Sequence, residues 1–300
     1  MPIITFQNDA VIDEDDLTLS LLDIALKHDI PHMHICGGKA RCSTCRVIIQ
    51  QGLENILPRN EVEQQLAEKK AMEGNVRLAC QTYIKGPVTL RRLVIDDLDA
   101  DLARNQQEKS GREKKLAILF SDIRGFTAFS ERHLPYDVIH ILNRYFQEMG
   151  TAVFEHHGYI DKYIGDGLMA LFGVEECNDT INCINAISAA FQMIQSLDKV
   201  NRYLKQNYDE SFEIGIGIHF GNVVLGNIGH SNKVQHTAIG DSVNIASRIE
   251  EQTKYENTPI LVSESMYLNI KDKVCVGKTL SASLKGKKEA FLLYEIHGFR

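Results

Sequence analysis

The chain has 300 residues, 44% hydrophobic and 24% charged, with six prolines, which excludes a disordered or fibrous protein and leaves room for two cores. A formal net charge of −7 argues against a general nucleic-acid or anionic-membrane binder, so phosphates are expected to be held by a few placed cations. The start, MPIITFQNDAVIDEDD, lacks the basic head and apolar run of a signal peptide, and no apolar stretch approaches a membrane span. The expectation is a cytoplasmic chain with neither membrane nor nucleic acid as partner.

In chain order, Ile3-Ile4-Thr5-Phe6 reads as a strand. Leu19, Leu22, Leu26 and Ile30 recur at helical spacing, so a helix is expected over Leu19 to Lys27 with Thr18 or Ser20 as its cap. Val47-Ile48-Ile49 is a second β-branched run closed by Gly52, Asn60 to Lys70 reads as a polar helix, and Val88-Thr89-Leu90 as a closing strand. Four of the seven cysteines fall in the first eighty residues. In a reducing compartment that bunching points to metal ligation rather than disulfides.

Cys36, Cys42 and Cys45 lie within ten residues, in I-C-G-G-K-A-R-C-S-T-C-R-V, and Cys80 follows in R-L-A-C-Q-T. A binuclear iron–sulfur cluster needs four thiolates, three of which can come from one wound loop. Gly37, Gly38, Ala40 and Ser43 suit that loop, because small residues let backbone N–H groups face sulfur. Structural zinc is the competing reading; zinc sites usually present two close pairs, whereas here the fourth cysteine stands alone.

The C-x5-C-x2-C spacing with a distant fourth cysteine resembles the ferredoxins of the adrenodoxin group. That resemblance implies a β-grasp [2Fe–2S] domain over residues 1–95, with Cys36, Cys42, Cys45 and Cys80 as ligands and an electron donor or redox partner. His32 and His34 lack Rieske spacing and read as packing or exposed residues, and Cys177, Cys183 and Cys275 as ordinary thiols.

Residues 96–115 turn polar and read as a helical connector, with Leu98 and Leu102 four apart. From 116 to 300 strands and helices alternate. Leu116 to Phe120 reads as a buried strand and Tyr136 to Glu155 as a helix. Tyr159 to Ile164 and Leu168 to Phe172 read as a hairpin around Gly165-Asp166-Gly167. Asn182 to Tyr203 reads as a long helix, Phe212 to Phe220 as a strand, and Ser242 to Gln252 as a helix.

Two-metal phosphoryl transfer needs carboxylates that converge from distant positions. Asp122 follows a strand in L-F-S-D-I-R-G-F-T, and Asp166 sits in a turn in K-Y-I-G-D-G-L-M-A. Singly each is unremarkable, since Asp commonly caps and Asp-Gly commonly turns. Together with T-A-I-G-D-S-V-N-I-A-S-R-I-E and S-L-K-G-K-K-E-A, in that order, they resemble the class III nucleotidyl cyclases over residues 116–296.

The resemblance implies an α+β protein, the β-grasp domain being followed by the ferredoxin-like α/β sandwich of those cyclases, over 116–300. It implies that Asp122, Asp166 and the carbonyl of Ile123 hold two Mg²⁺ or Mn²⁺ ions, one activating the ribose 3′-hydroxyl and the other neutralising the triphosphate. Asn244 would orient the ribose and Arg248 would meet charge on the α-phosphate. Lys285 would pair with the terminal phosphates, Lys287 and Lys288 being solvated, and Lys233 stands where an arginine is usual.

Lys162 and Thr237 match the base-recognition positions and favour adenine. The implied protein is an adenylate cyclase, acting on ATP as a homodimer whose sites form between two chains, with the cluster as redox sensor. The alternatives are an electron carrier whose second domain only binds nucleotide or dimerises, and a cluster that serves only as a staple.

Overall fold

In the computed structural model, which describes residues 2–7, 9–94, 96–105, 111–175, 178–230, 232–286 and 290–300, the N-terminal apolar pattern forms a small mixed sheet. Its elements are β1 (Ile3–Phe6), β2 (Ala10–Asp13), α1 (Leu21–Lys27), β3 (Arg46–Gln51), α2 (Glu61–Lys69), β4 (Val76–Leu78) and β5 (Val88–Arg91). Strand order is β2-β1-β5-β3-β4, with β1 and β5 parallel and the other pairs antiparallel, which is the β-grasp order.

Period-two alternation turns Ile4, Phe6, Val47, Ile49, Val88 and Leu90 inward against Leu21, Leu22, Ile24 and Ala25 of α1. Of the two candidate caps, Ser20 closes the helix. Its hydroxyl accepts from the Asp23 N–H while the Asp23 carboxylate reaches back to Ser20 N, a reciprocal capping box. In the polar stretch that follows, Asp96 caps a short helix, α3 (Asp97–Arg104).

The remainder forms a second unit; the chain divides into Met1–Gly111 with Asn227–His230, and Arg112–Gly226 with Ser231–Arg300. Its elements begin with β6 (Arg112–Ile123), α4 (Phe126–Arg132), α5 (Pro135–Glu155), β7 (Gly158–Ile164), β8 (Gly167–Phe172) and α6 (Asp179–Tyr208). Then come β9 (Ile214–His230), β10 (Lys233–Ile239), α7 (Asp241–Glu256), β11 (Ile260–Ser263), α8 (Glu264–Ile270), β12 (Val274–Ser283) and β13 (Ala290–Phe299). The sheet runs β12-β13-β11-β9-β6-β8-β7, with β10 paired to β9. Within it β9-β6-β8-β7, joined through α5 and α6, is the βαββαβ arrangement of a ferredoxin-like sandwich.

The buried run Leu116 to Leu119 is explained by two covered faces. Ala117 and Leu119 join the cluster that holds Tyr145, Met149, Ala186 and Ala190 of α5 and α6. Leu116 and Ile118 join Met169, Leu171, Val223 and Ala246 on the other side. Several elements outrun their sequence reading. β9 continues past Phe220 because Val223 and Leu225 keep alternating into that second core, and α6 starts earlier because Asn178 caps it. No helix among the described residues is long and apolar enough to cross a membrane.

Candidate active site and cysteine site

β6 and β8 run antiparallel with Ser121 opposite Leu168, so Asp122, leaving β6, and Asp166, in the turn before β8, emerge side by side at one sheet edge. Asp166 Oδ2 accepts the Ile123 N–H at 3.3 Å, and Gly165, at φ +62°, supplies the left-handed turn. Burial pushes the Asp166 carboxyl up to about 6, and the Asp122 charge and a shared hydrogen bond with Asp122 add to it. Two crowded carboxylates beside a backbone carbonyl form an oxygen donor set that suits hard divalent cations. A cation already stands there: Lys254 Nζ, from α7, lies 3.0 Å from Asp122 Oδ2. Among the described residues no three His, Cys, Asp or Glu side chains converge on one ion position, so bound cations would draw further on backbone and on substrate oxygens.

A second set of contacts gathers on Asp161. Lys162 Nζ is 3.2 Å from Asp161 Oδ2, Thr237 Oγ1 donates to the same oxygen at 2.7 Å, and the Ala238 N–H donates to Oδ1 at 3.2 Å. The register of β7 against β8 shifts between Ile160 and Lys162, a bulge that re-aims the residue between them. Thr237 is buried, and the Lys162 side chain is 30% exposed. The two residues read as contacting the base are therefore brought together.

Asn244 and Arg248 lie one turn apart on α7, the first exposed and the second half-buried. The Arg248 guanidinium lies within 4 Å of where a Cβ on Gly286 would be, beside the exposed Lys285. Lys233 is exposed at the start of β10, four residues before Thr237 on the same strand. Lys287 and Lys288 lie outside the described residues, as does Cys177.

In the N-terminal unit the four early cysteines form two pairs. Cys45 and Cys80 are 3.5 Å apart at sulfur, and Cys36 hydrogen-bonds Cys42. The loop between Cys36 and Cys42 takes left-handed conformations at Gly37, Gly38 and Ala40. Cys80 is positioned from the next element: Glu63 of α2 clamps Arg77 with two bonds of 3.0 and 2.7 Å and accepts the Leu78 N–H at 2.7 Å.

The Cys45 thiol holds Cys80 down to about 6, against burial, helped by Gln81 and the Ala40 N–H, while Cys45 itself is pushed up. Burial raises Cys42, but bonds from Thr44 and Cys36 outweigh it and leave the thiol low. Thiols in pairs, with donors aimed at sulfur, fit a two-iron cluster with four cysteine ligands. His32 is a packing residue, bonded through Nε2 to the Cys45 carbonyl at 3.2 Å.

Comparison with known proteins finds a matching family for each part of the chain. The family described as the adenylate and guanylate cyclase catalytic domain matches residues 108–298. The chain belongs to that cyclase family. The 2Fe-2S iron-sulfur cluster binding domain family matches residues 5–85. An adenylate cyclase of Anabaena cylindrica is 41% identical over 190 residues, 61% of this chain and 37% of that protein. The terminal-differentiation-specific adenylate cyclase of Dictyostelium discoideum is 37% identical over 61% of this chain and 9% of its own length. The chain thus spans well under half of these relatives. Among solved structures, the guanylyl cyclase Cya2 has a TM-score of 0.60 at 32% identity, covering 63% of this chain and 95% of that one. The adenylyl cyclase CyaB from P. aeruginosa scores 0.59 at 30% identity, covering 63% and 97%.

Three residues of the cyclase domain escaped the sequence reading. Asp161 adjoins Lys162, but neighbours on a strand ordinarily face opposite sides, so only the bulge discloses it. Lys254 is one of several charges at the end of α7. Arg124 reaches back to the same helix end, donating to the Thr253 and Thr258 carbonyls at 3.0 and 2.6 Å. Two adjacent signals were available: the four-residue interval from Glu250 to Lys254, and Arg124 two positions after Asp122.

Proposed function

We propose that the protein is an adenylate cyclase that converts ATP to 3′,5′-cyclic AMP and pyrophosphate at a site shared by two copies of the chain. A [2Fe–2S] cluster on Cys36, Cys42, Cys45 and Cys80 tunes that activity. The observation that carries the reading is the convergence of Asp122 and Asp166 at one sheet edge, with their shared need for a cation. Relatives named as adenylate cyclases support it, but solved neighbours include cyclases of both purines. The choice of ATP rests on Lys162 and Thr237.

Asp122, Asp166 and the Ile123 carbonyl would hold two divalent cations, which supply Lewis acidity to the ribose 3′-hydroxyl and charge neutralisation to the triphosphate when bound. The chain's own groups do the rest. Asn244 orients the ribose, so that the 3′-oxygen faces the α-phosphorus as the bond to pyrophosphate breaks. Arg248 donates to the α-phosphate oxygens where charge grows, and Lys285 and Lys233 hold the outer phosphates. Lys162 donates to the acceptor ring nitrogen of adenine, and the Thr237 oxygen accepts from its 6-amino group. In the N-terminal unit, gain of one electron by the cluster would change the local charge by one, a perturbation that packing can pass on.

The test is product formation from ATP and GTP with Mn²⁺, on protein as isolated, after dithionite, and after cluster removal, with visible spectra recorded in parallel. Cyclic AMP in excess and a rate that follows the spectrum are expected. No turnover of ATP would overturn the cyclase reading, and equal rates in all three states would overturn redox control while leaving catalysis standing.

A further inference from the structure

We infer that Asp161 decides which purine the site accepts, by accepting the hydrogen bond that the Thr237 hydroxyl donates and so leaving that oxygen only able to accept from a base. The inference rests on the base-recognition reading above and deepens it. A threonine hydroxyl is ambivalent, since it holds one donor and two acceptor positions. The 6-position of adenine bears an amino donor and that of guanine an oxygen acceptor. A free threonine would rotate to suit either, so Thr237 alone does not select.

The surroundings remove the ambivalence. Thr237 Oγ1 donates to Asp161 Oδ2 at 2.7 Å. The Asp161 side chain has no exposed surface, so no water competes for that proton. Its other oxygen takes the Ala238 N–H at 3.2 Å, which prevents the carboxylate from turning away. A buried carboxylate needs such partners, and Lys162 Nζ at 3.2 Å supplies the counter-charge. With its proton committed, Oγ1 offers lone pairs to an amino group and nothing to a carbonyl.

Lys162 adds to the same choice. An ammonium has three donors, so bonding Asp161 leaves others for the unprotonated ring nitrogen of adenine, whereas guanine carries a hydrogen there. Lys162 is the exposed member and Thr237 the buried one, so an incoming base meets the ammonium first and the hydroxyl behind it. The bulge makes the arrangement: it brings two consecutive residues, Asp161 and Lys162, to one side of β7. Asp161 is a positioning residue and touches no substrate.

The test is Asp161→Asn in the full-length protein. Asparagine keeps the shape and can retain the Ala238 bond, but its amide donates to Thr237 Oγ1 and turns the hydroxyl proton outward. The ratio of kcat/KM for ATP over GTP is expected to fall about tenfold or more, the size of one hydrogen bond changed from favourable to opposed. Asp161→Ala, which frees the proton without offering a donor, should move the ratio the same way by less and serves if the asparagine variant does not fold.

In a Thr237→Val background the hydroxyl is gone, and Asp161→Asn should leave the ratio unchanged. A merely structural Asp161 would lower both nucleotides in proportion, with the ratio intact in both variants, and that result overturns the inference. Wild-type protein that makes no excess of cyclic AMP would instead sink the base reading beneath it.

Discussion

Asp122 is held by the Lys254 ammonium at 3.0 Å and faces a second carboxylate whose pKa is driven up to about 6 by burial and by Asp122 itself. The Lys254 ammonium offsets that repulsion, and on the proposed two-metal reading it would have to yield to a divalent ion. The pair is partly exposed, 42% on lysine and 30% on aspartate, so its worth is that of a surface ion pair, about 0.2–1 kcal/mol. Lys254→Met is therefore expected to tighten Mn²⁺ binding by up to about fivefold, read by titration calorimetry without nucleotide. Unchanged or weaker binding would show that the ammonium does not compete.

The proposed metal carboxylates, Asp122 and Asp166, were legible because each lies in a recognisable string at a strand end or turn. Lys254 and Asp161 were not, because their roles arise from contacts across 132 and 76 residues of chain. Neither separation leaves a mark in local spacing.

At the scale of elements, α7 is the part that joins the two halves of the proposed chemistry. Its N-terminal half carries Asn244 and Arg248, and its end is fixed to the strand of Asp122 by Lys254 and Arg124. It lies directly on β9, at two glycines in I-G-I-G-I. A Cβ on Gly217 would run into the Glu250 backbone N and lie 2.6 Å from Glu250 Cα and 2.8 Å from the Ala246 carbonyl.

Backbone cannot swing aside as a side chain does, so Gly217→Ala forces the helix outward. We expect a loss of about 1–3 kcal/mol in urea unfolding, with a fall in cyclase activity beyond what stability explains. Gly74→Ala meets nothing within 4 Å and should be near neutral. Glycines alternating in a strand are a readable sign of close approach, but which helix approaches is decided by tertiary packing. Strand β6 was readable for the opposite reason, since an uninterrupted apolar run can be buried only between two layers.

For the whole molecule, the division of labour was visible in the sequence: the paired cysteines all precede Gln81 and the cyclase strings all follow Lys115. The shared-site homodimer, which the cyclase resemblance implies and which is proposed above, gains support from the geometry of one helix. Asn244 and Lys254 are ten residues apart on α7, about 15 Å of helical rise, and Lys254 already lies on the chain's own Asp122. The group meant to orient the ribose is therefore far along the helix from the carboxylates meant to serve the same nucleotide.

A second copy related by a two-fold axis would supply what is missing, with Asp122 and Asp166 from one chain meeting Lys162, Thr237, Asn244, Arg248 and Lys285 from the other. Asp122→Ala and Asn244→Ala should each be inactive alone. Mixed and allowed to exchange, half the dimers are heterodimers with one intact site of two, so activity should return to about a quarter of wild type. Gel filtration with one variant tagged verifies that exchange occurred. Heterodimers that form and stay silent would return the whole reaction to a single chain, and α7 would then have to bend to perform it.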